Sequence, residues 1–185
     1  MTTIRIASVY IATSLDGYIA RKNGDIDWLD QANTVVPEGE DCVFFSFMTS
    51  IDVLIMGRKT YEKVLSFGTW PYGEKKVIIL SRNNVEIPSK LQGTVSYSAE
   101  SPKYLCKKLI SEGRKRLYID GGMTIQSFLK ENLIKDITIT TIPIIIGNGI
   151  SLFSKLPNDI KLKHINTKVY EFGFVQSTYK IENNV

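Results

Sequence analysis

The sequence predicts an α/β fold with a mixed, mostly parallel central sheet and helices on its faces. Short runs rich in β-branched residues alternate with segments whose apolar residues recur at helical spacing. This alternation is typical of βαβ crossover units, which build parallel sheets. After Lys135 the alternation stops, and successive strand-like runs predict antiparallel strands at one edge. The 185 residues form one predicted domain, 1–185.

The predicted elements follow one another along the whole chain. Strands are predicted at residues 4–12, 52–56, 76–80, 95–97 and 116–119. Helices are predicted between them at residues 41–50, 59–66, 102–112 and 123–131. The C-terminal strand-like runs are residues 137–146, 161–169 and 172–181. Residues 31–40 form the one predicted loop long enough to have a function of its own.

The composition is that of an ordinary globular protein, with 43% hydrophobic residues and a mean hydropathy of −0.04. No run approaches the ~18 apolar residues of a membrane span, so we expect a cytoplasmic protein without a membrane partner. Cys42 and Cys106 stand alone, which argues against a metal site or a disulfide framework.

The net charge of +4 is modest. Its densest basic stretch, residues 103–116, alternates with leucines at helical spacing and is interpreted as a solvated helix face. We therefore expect a small-molecule substrate and no nucleic-acid partner.

The most informative motif is Ser-Leu-Asp-Gly-Tyr-Ile-Ala at residues 14–20, directly after an apolar strand. Asp16 and Gly17 are turn-forming residues, and the polar loop that follows reaches Trp28. A rigid strand that delivers a mobile loop is a common way to cover a reaction site. The alternative interpretation of Asp16-Gly17 as an ordinary turn remains open on this motif alone.

A second motif predicts an anion site. The apolar strand at 52–56 ends at Gly57, and a helix begins with Arg58, Lys59 and Thr60. Backbone N–H groups at a helix N-terminus, with a hydroxyl and two cations, favour a phosphate.

Two further motifs lie at the ends of other predicted strands. Ser81 and Arg82 follow the strand at 76–80, where ligands of open α/β sheets bind. Gly121 and Gly122 join a strand to a helix, and paired glycines let a backbone approach a pyrophosphate closely.

These motifs, in this order, resemble the dihydrofolate-reductase-like superfamily. Gly-Arg-x-Thr-Tyr-Glu at 57–62 is similar to the cofactor segment of dihydrofolate reductases. The opening motif, Asp120 before the paired glycines, and Gly-Asn-Gly at 147–149 resemble the reductase domain of riboflavin-biosynthesis enzymes, the RibD C-terminal type, more closely. The resemblance implies a three-layer dihydrofolate-reductase-like fold with the antiparallel strands at the C-terminal edge.

The resemblance also implies a function. It predicts an NADPH-dependent oxidoreductase that transfers hydride to an aminopyrimidine or pterin-like substrate. The reaction most like it is that of 5-amino-6-(5-phosphoribosylamino)uracil reductase. True dihydrofolate reduction is one alternative, and a nucleotide-binding module without turnover is another.

Individual roles follow from the resemblance position by position. The cofactor-binding set is Ala12, Ile19, Gly57, Arg58, Lys59, Thr60, Ser81, Arg82, Gly121, Gly122, Met123, Thr124 and Ile125. The substrate-binding set is Ser14, Trp28, Phe45 and Thr140. The superfamily further implies a cis peptide at Asp120–Gly121, with Gly121–Gly122 as the next choice.

The acid that assists the reaction has two candidates. Asp41 lies where dihydrofolate reductases carry their substrate carboxylate, and its helix would turn Phe45 and Met48 toward the cleft as well. A half-buried carboxylate there could bind a ring edge and assist protonation, but a helix-capping role is an alternative. Asp16, from the opening motif, is the competing acid.

The oligomeric state is left open. The apolar stretch 142–146, expected near a sheet edge, is consistent with a homodimer contact or with a buried strand.

Overall fold

The computed structural model describes residues 5–182 and contains one large twisted sheet flanked by helices. The strands are β1 (Ala7–Ser14), β2 (Tyr18–Ala20), β3 (Val53–Gly57), β4 (Lys76–Leu80), β5 (Val95–Ser98), β6 (Leu117–Asp120), β7 (Ile134–Ile142), β8 (Ile150–Ser151), β9 (Leu162–Val169) and β10 (Val175–Ile181). The α-helices are α1 (Asp27–Asn33), α2 (Phe44–Thr49), α3 (Arg58–Leu65), α4 (Pro102–Ser111) and α5 (Gly122–Lys130), with a short 3-10 helix at Ser89–Leu91.

The large sheet has the order β5-β4-β3-β6-β1-β7-β10-β9. The first six strands in this order pair in parallel, whereas β10 pairs antiparallel with both β7 and β9. β2 and β8 form a separate two-stranded ribbon. The predicted α/β class and the antiparallel strands at the C-terminal edge are thus confirmed.

The core lies on both faces of the sheet. One face is covered by α4 and α5 through residues such as Leu105, Leu109 and Phe128. The opposite face is covered by α2 and α3, where Phe47 and Tyr61 pack on β3 and β6. Burying side chains on both faces explains why β3 and β4 are almost continuously apolar in sequence.

Several predicted boundaries are corrected. The predicted helix at 41–50 begins only at Phe44, because Cys42 and Val43 adopt left-handed backbone angles, φ 53° and 62°. The predicted strand at 137–146 ends at Ile142, since Pro143 has no N–H to donate. Helix α1 lies where the sequence suggested only loop. The predicted first strand begins at Ala7, and its Ile4 lies outside the described residues.

The stretch 142–146 is not at a sheet edge as expected, and a homodimer remains a prediction. β7 lies between β1 and β10, so the stretch that follows Ile142 does not extend from an edge strand. Within residues 5–182 the edge strands are β5 and β9, and every residue of β9 is exposed. The same part of the chain contains no helix that is long and apolar enough to span a membrane.

Candidate active site

The candidate site lies at the edge of the sheet where the parallel strands end. The strands β1, β3, β4, β6 and β7 end at Ser14, Gly57, Leu80, Asp120 and Ile142. Because parallel strands share one direction, these termini and the loops that follow them face the same edge. Ligands of open α/β sheets bind outside this edge. All four motifs singled out in the sequence are therefore brought to one end of the molecule.

Two β–α turns interlock at the centre of this edge. A Cβ placed on Gly57 would lie 2.9 Å from Thr124 Oγ1, and a Cβ on Gly121 would collide with Thr60 Oγ1. Gly121 also has a φ of +89°, a conformation that side-chain-bearing residues rarely adopt. These glycines thus allow the start of α3 and the start of α5 to approach each other.

The two helix N-termini have the properties of an anion site. Neither Gly57 nor Gly121 provides a side-chain cap for the first turn that follows it. The first N–H groups of a helix lack intrahelical acceptors and carry partial positive charge. Arg58 and Lys59 are exposed beside them, as is Arg82 at the end of the neighbouring strand β4. Arg58 lies 3.7 Å from the carboxylate of Glu62.

A groove of about 290 Å³ opens beside Arg58. Its apolar lining comes from α3 and from the segment after β4, through Tyr61, Leu65, Val85 and Pro88. The groove shares Arg58 with the predicted phosphate site, and Glu62 and Glu86 also line it.

The other residues predicted to bind the cofactor differ in their exposure and in their contacts. Ile19 lies against Gly122, because a Cβ placed on Gly122 would be 2.8 Å from Ile19 Cδ1. Thr124 and Ile125 are buried, so the first contributes packing to the turn and the second belongs to the core. Met123 is 78% exposed. Ser81 bonds the backbone N–H of Asn83 at 3.2 Å and so stabilises its own turn. Ala12 is half-buried on β1.

The predicted cis peptide is wrong. The peptide bonds of the described residues are all trans, including Asp120–Gly121 and Gly121–Gly122. The left-handed backbone of Gly121 redirects the chain into α5 instead.

Asp16 has a structural role in the opening motif. Its two carboxylate oxygens accept the backbone N–H groups of Ile146 at 3.2 Å and Gly147 at 2.8 Å. Ser14, predicted to bind substrate, is buried, and its hydroxyl accepts the N–H of Tyr18 at 3.0 Å. Hydrogen bonds from Ser14 and from the Gly147 and Ile146 amides lower the pKa of Asp16. The carboxylate therefore joins the loop after β1 to the loop after β7.

Asp41 is an exposed capping residue. Its carboxylate accepts the N–H of Val43 at 2.9 Å and the N–H of Phe45 at 2.7 Å. The prediction of a half-buried carboxylate that faces the cleft with its helix is therefore wrong. The capping alternative describes the observed geometry, because Asp41 holds the left-handed turn that precedes α2. Phe45 is 77% exposed.

Thr140, predicted to bind substrate, takes part in a buried polar network. Gln176 Nε2 donates to Thr140 Oγ1 at 2.9 Å, to the Cys42 carbonyl at 3.0 Å and to the Tyr10 hydroxyl at 3.1 Å. The Tyr10 hydroxyl in turn donates to the Cys42 carbonyl at 2.6 Å. Side chains from three adjacent strands thus anchor the segment before α2 to the sheet.

A half-buried acid at this edge is Asp120. It ends β6, and its Oδ1 accepts the N–H of Gly121 at 2.8 Å. Burial raises the pKa of Asp120 to about 6. This carboxylate adds to the effect of burial in raising the pKa values of Tyr72 and Tyr118. Sequence reasoning did not assign it a catalytic role, although an acid between a buried strand and paired glycines was visible.

Trp28, predicted to bind substrate, is buried in the hydrophobic core. The side chain is 1% exposed and packs with Ala12 and Ile142, at the ends of β1 and β7. The Trp28 side chain therefore lies in the core between α1 and the ends of these two strands, and not at an open pocket mouth. Its Nε1–H has no hydrogen-bond partner among the described residues.

Comparison with known proteins identifies the family. The model of the RibD C-terminal domain matches residues 7–175. The chain belongs to the RibD C-terminal domain family. The uncharacterised protein YwjB of Bacillus subtilis is 37% identical to this chain over 170 residues, or 89% of this chain and 91% of YwjB. The uncharacterised protein YyaP of the same organism is 26% identical over 178 residues, or 91% of each chain.

Solved structures agree with this assignment. A protein from Shewanella sp. PV-4, provisionally named as a riboflavin biosynthesis protein, superimposes with a TM-score of 0.89 at 40% identity and covers 96% of this chain and 99% of its own. The deaminase/5-amino-6-(5-phosphoribosylamino)uracil reductase of Thermotoga maritima gives a TM-score of 0.69 at 15% identity. That match covers 96% of this RibD-type chain and 57% of the Thermotoga chain, and it shows the shared fold.

Proposed function

We propose that this RibD-type domain is an NADPH-dependent reductase of a nitrogen heterocycle of the aminopyrimidine or pterin class. One observation carries the proposal: two interlocked, uncapped helix N-termini lie at the same end of the sheet as a half-buried acid with a raised pKa, Asp120. Membership of the RibD C-terminal domain family supports reductase chemistry.

The cofactor half of the site fits NADPH. The approach of the α3 and α5 N-termini at Gly57 and Gly121 offers two sets of backbone N–H donors for phosphates. Arg58 and Arg82 are exposed cations that would bind the 2′-phosphate, which distinguishes NADPH from NADH. NADPH, when bound, supplies the hydride, so the protein needs to orient the rings and manage one proton.

For the substrate half we propose an aromatic heterocycle. Asp120 lies near the Tyr72 and Tyr118 hydroxyls on the face where Tyr10 packs on Phe44 and Phe47. A carboxyl whose pKa is about 6 is partly protonated near neutral pH. It can therefore accept a hydrogen bond from a ring N–H, or donate its proton to a ring nitrogen.

Dihydrofolate reduction is less well supported. That alternative depends on Asp41 as the substrate carboxylate, and both of its oxygens already accept backbone N–H groups at the surface. Asp16 is likewise engaged by two amides. Asp120 is thus the acid we assign to the reaction.

The proposal is tested by following NADPH oxidation with aminopyrimidines, pterins and dihydrofolate side by side. We expect oxidation with a member of the first two groups, at a rate above that with dihydrofolate. Tight NADPH binding without oxidation by any of these compounds would instead identify a nucleotide-binding module.

A further inference from the structure

Strand β9 lies at one edge of the large sheet and is exposed along its whole length. A strand that packs on a core buries every second side chain, and β9 buries none. On the side of the sheet that carries α4 and α5, helix α5 contacts β3 and β6, near the centre of the sheet. The outer part of this side, formed by β10 and β9, therefore remains open.

The pairing of the strands shows which side chains share this open surface. Residues directly opposite each other on neighbouring strands point to the same side of the sheet. The surface, which we call the uncharged face, consists of Ile139, Thr141, Thr167, Val169, Val175 and Ser177. All six are exposed or half-buried, and Val169 is 71% exposed.

The lysines of β9 and β10 lie on the opposite side of the sheet. Lys168 is opposite Gln176, which belongs to the buried polar network below α2. Lys163 is opposite Lys180, and Lys180 is opposite Asp136. The alternation of the two strands thus separates their three lysines from a face that has no lysine, arginine, aspartate or glutamate.

The polar groups of the uncharged face already bond one another. Thr167 Oγ1 lies 2.9 Å from Ser177 Oγ and 2.7 Å from His164 Nε2, at the border of the face. The His164 ring contacts the Tyr179 ring, with 5.7 Å between their centroids. Because these hydroxyls have partners within the chain, a surface that excludes water from them leaves no unsatisfied donor at Thr167 or Ser177.

The free edge of β9 is a poor contact between two copies of the chain. If two β9 strands paired antiparallel over their full length, Lys163 of each would lie opposite Lys168 of the other. Like charges directly opposite each other destabilise a sheet, and lysines on an edge strand oppose such pairing. The lysines therefore disfavour contact through the edge, whereas nothing similar opposes contact through the uncharged face.

We propose that the uncharged face binds the same face of a second copy of this chain, in a symmetric dimer. The face has no charge that would select an oppositely charged partner, and a two-fold axis matches it with itself. The three strands span about 14 Å and β9 extends for about 27 Å, so each copy buries several hundred Å². This area is near the lower limit for a specific interface, so the dimer dissociates at micromolar concentrations.

Sedimentation equilibrium of the full chain at increasing concentration tests whether the dimer exists. We expect the average mass to rise from that of one chain, 20.9 kDa, toward twice that value. The mass of one chain at every concentration up to about 1 mM would overturn the inference. A mass that passes beyond two chains would also overturn it, since a two-fold contact closes at the dimer.

A pair of variants tests whether the uncharged face forms the contact. Val169→Lys should fold, because the side chain is exposed in the single chain, but a dimer would have to bury the added charges. We expect the dissociation constant of the dimer to increase by about tenfold or more. Asn166→Lys is the matched control, since it adds the same charge to β9 on the opposite side, where Asn166 is opposite Thr178.

The control variant should dimerise as the wild type does. A dissociation constant that Val169→Lys leaves unchanged would contradict the proposed face. Equal weakening by Val169→Lys and Asn166→Lys would contradict it as well, and would instead indicate contact through the edge of β9.

Discussion

Gly57 and Thr124 meet across the two β–α turns of the site, with only 2.9 Å between Thr124 Oγ1 and the position a Cβ would occupy on Gly57. Gly121 and Thr60 make the reciprocal contact. Each glycine makes room for a threonine of the other turn, so packing alone brings the two helix N-termini together. The proposed anion site thus depends on how β3 and β6 pair and continue into their helices.

The contact between Gly57 and Thr124 predicts that a substitution at Thr124 restores part of the stability lost by a substitution at Gly57. Gly57→Ala should destabilise the fold by about 1–3 kcal/mol, the usual cost of overpacking a tight contact. Thr124→Ala in the same chain should restore part of that loss, because it removes the hydroxyl that the new methyl group meets. Urea denaturation of the wild type, both single variants and the double variant measures the coupling.

Gly93→Ala is the matched control, since a Cβ there has no neighbour within 4 Å and its φ is not positive. Its free energy of unfolding should change little. Additive effects of Gly57→Ala and Thr124→Ala would contradict the steric explanation.

The role proposed for Asp120 predicts how kcat changes when the carboxyl group is replaced. Asp120→Asn keeps the shape of the side chain and removes its titration, so kcat should fall by roughly 10²–10⁴ while NADPH binding survives. The kcat of the wild type should fall as the pH rises through about 6, because the proton of Asp120 is lost there. The variant should lack that inflection. A pH profile that is the same in both proteins would remove Asp120 from the mechanism.

The raised pKa of Asp120 also predicts how the stability of the fold depends on pH. The pKa of Asp120 in the folded protein, about 6, exceeds the ordinary value, so folding favours the protonated form. Stability should therefore decrease as the pH rises from about 4 to 6, and the penalty should persist above that range. Asp120→Asn should raise Tm at pH 8 and leave it nearly unchanged at pH 4. A lower Tm for the variant at pH 8 would indicate that the carboxylate is stabilising.

The contribution of Asp16 to stability should depend on pH in the opposite way to that of Asp120. Its pKa is lowered by Ser14 and by the Gly147 and Ile146 amides, so its stabilising effect is present at neutral pH and is lost as the pH falls below about 4. Asp16→Asn should lower Tm at pH 7 and speed hydrogen exchange at Gly147. Asp159→Asn, at an exposed carboxylate, is the control. Equal exchange at Gly147 in wild type and Asp16→Asn would show that the carboxylate does not hold this loop.

Gln176 should be important for stability. It is 6% exposed and donates to the Cys42 carbonyl and to Thr140. Gln176→Ala should cost about 1–3 kcal/mol, since it leaves buried polar groups with fewer partners. Lys180→Ala, at an exposed position of β10, should stay within about 0.5 kcal/mol in the same urea denaturation. Similar values for both variants would mean that the network contributes little.

The strands could be predicted because a sheet covered on both faces requires apolar runs. Residues 76–80 were predicted exactly as β4, and the strand at 52–56 differs from β3 by one residue at each end. Helix α1 was missed because it has only seven residues, too few for a clear period. The left-handed Cys42 and Val43 were missed because nothing in their side chains favours that conformation.

The position of the acid could not be predicted for a different reason. Asp16, Asp41 and Asp120 all precede or follow elements of the site in sequence, and local pattern does not tell which one tertiary packing buries. Asp120 lies close enough to Tyr118 of its own strand and to Tyr72, which is distant in sequence, to raise the pKa values of both. Asp41 and Asp16 instead find backbone donors at the surface.

The proposed NADPH site is tested most directly by the affinities of the protein for NADPH and NADH, measured by fluorescence titration. The account predicts that the wild type binds NADPH more tightly than NADH, because Arg58 and Arg82 meet the 2′-phosphate. Arg58→Ala and Arg82→Ala should each weaken NADPH binding by about ten- to a hundredfold, the loss of one charge-assisted hydrogen bond, and scarcely affect NADH. Equal losses for both cofactors, or no preference for NADPH in the wild type, would contradict it.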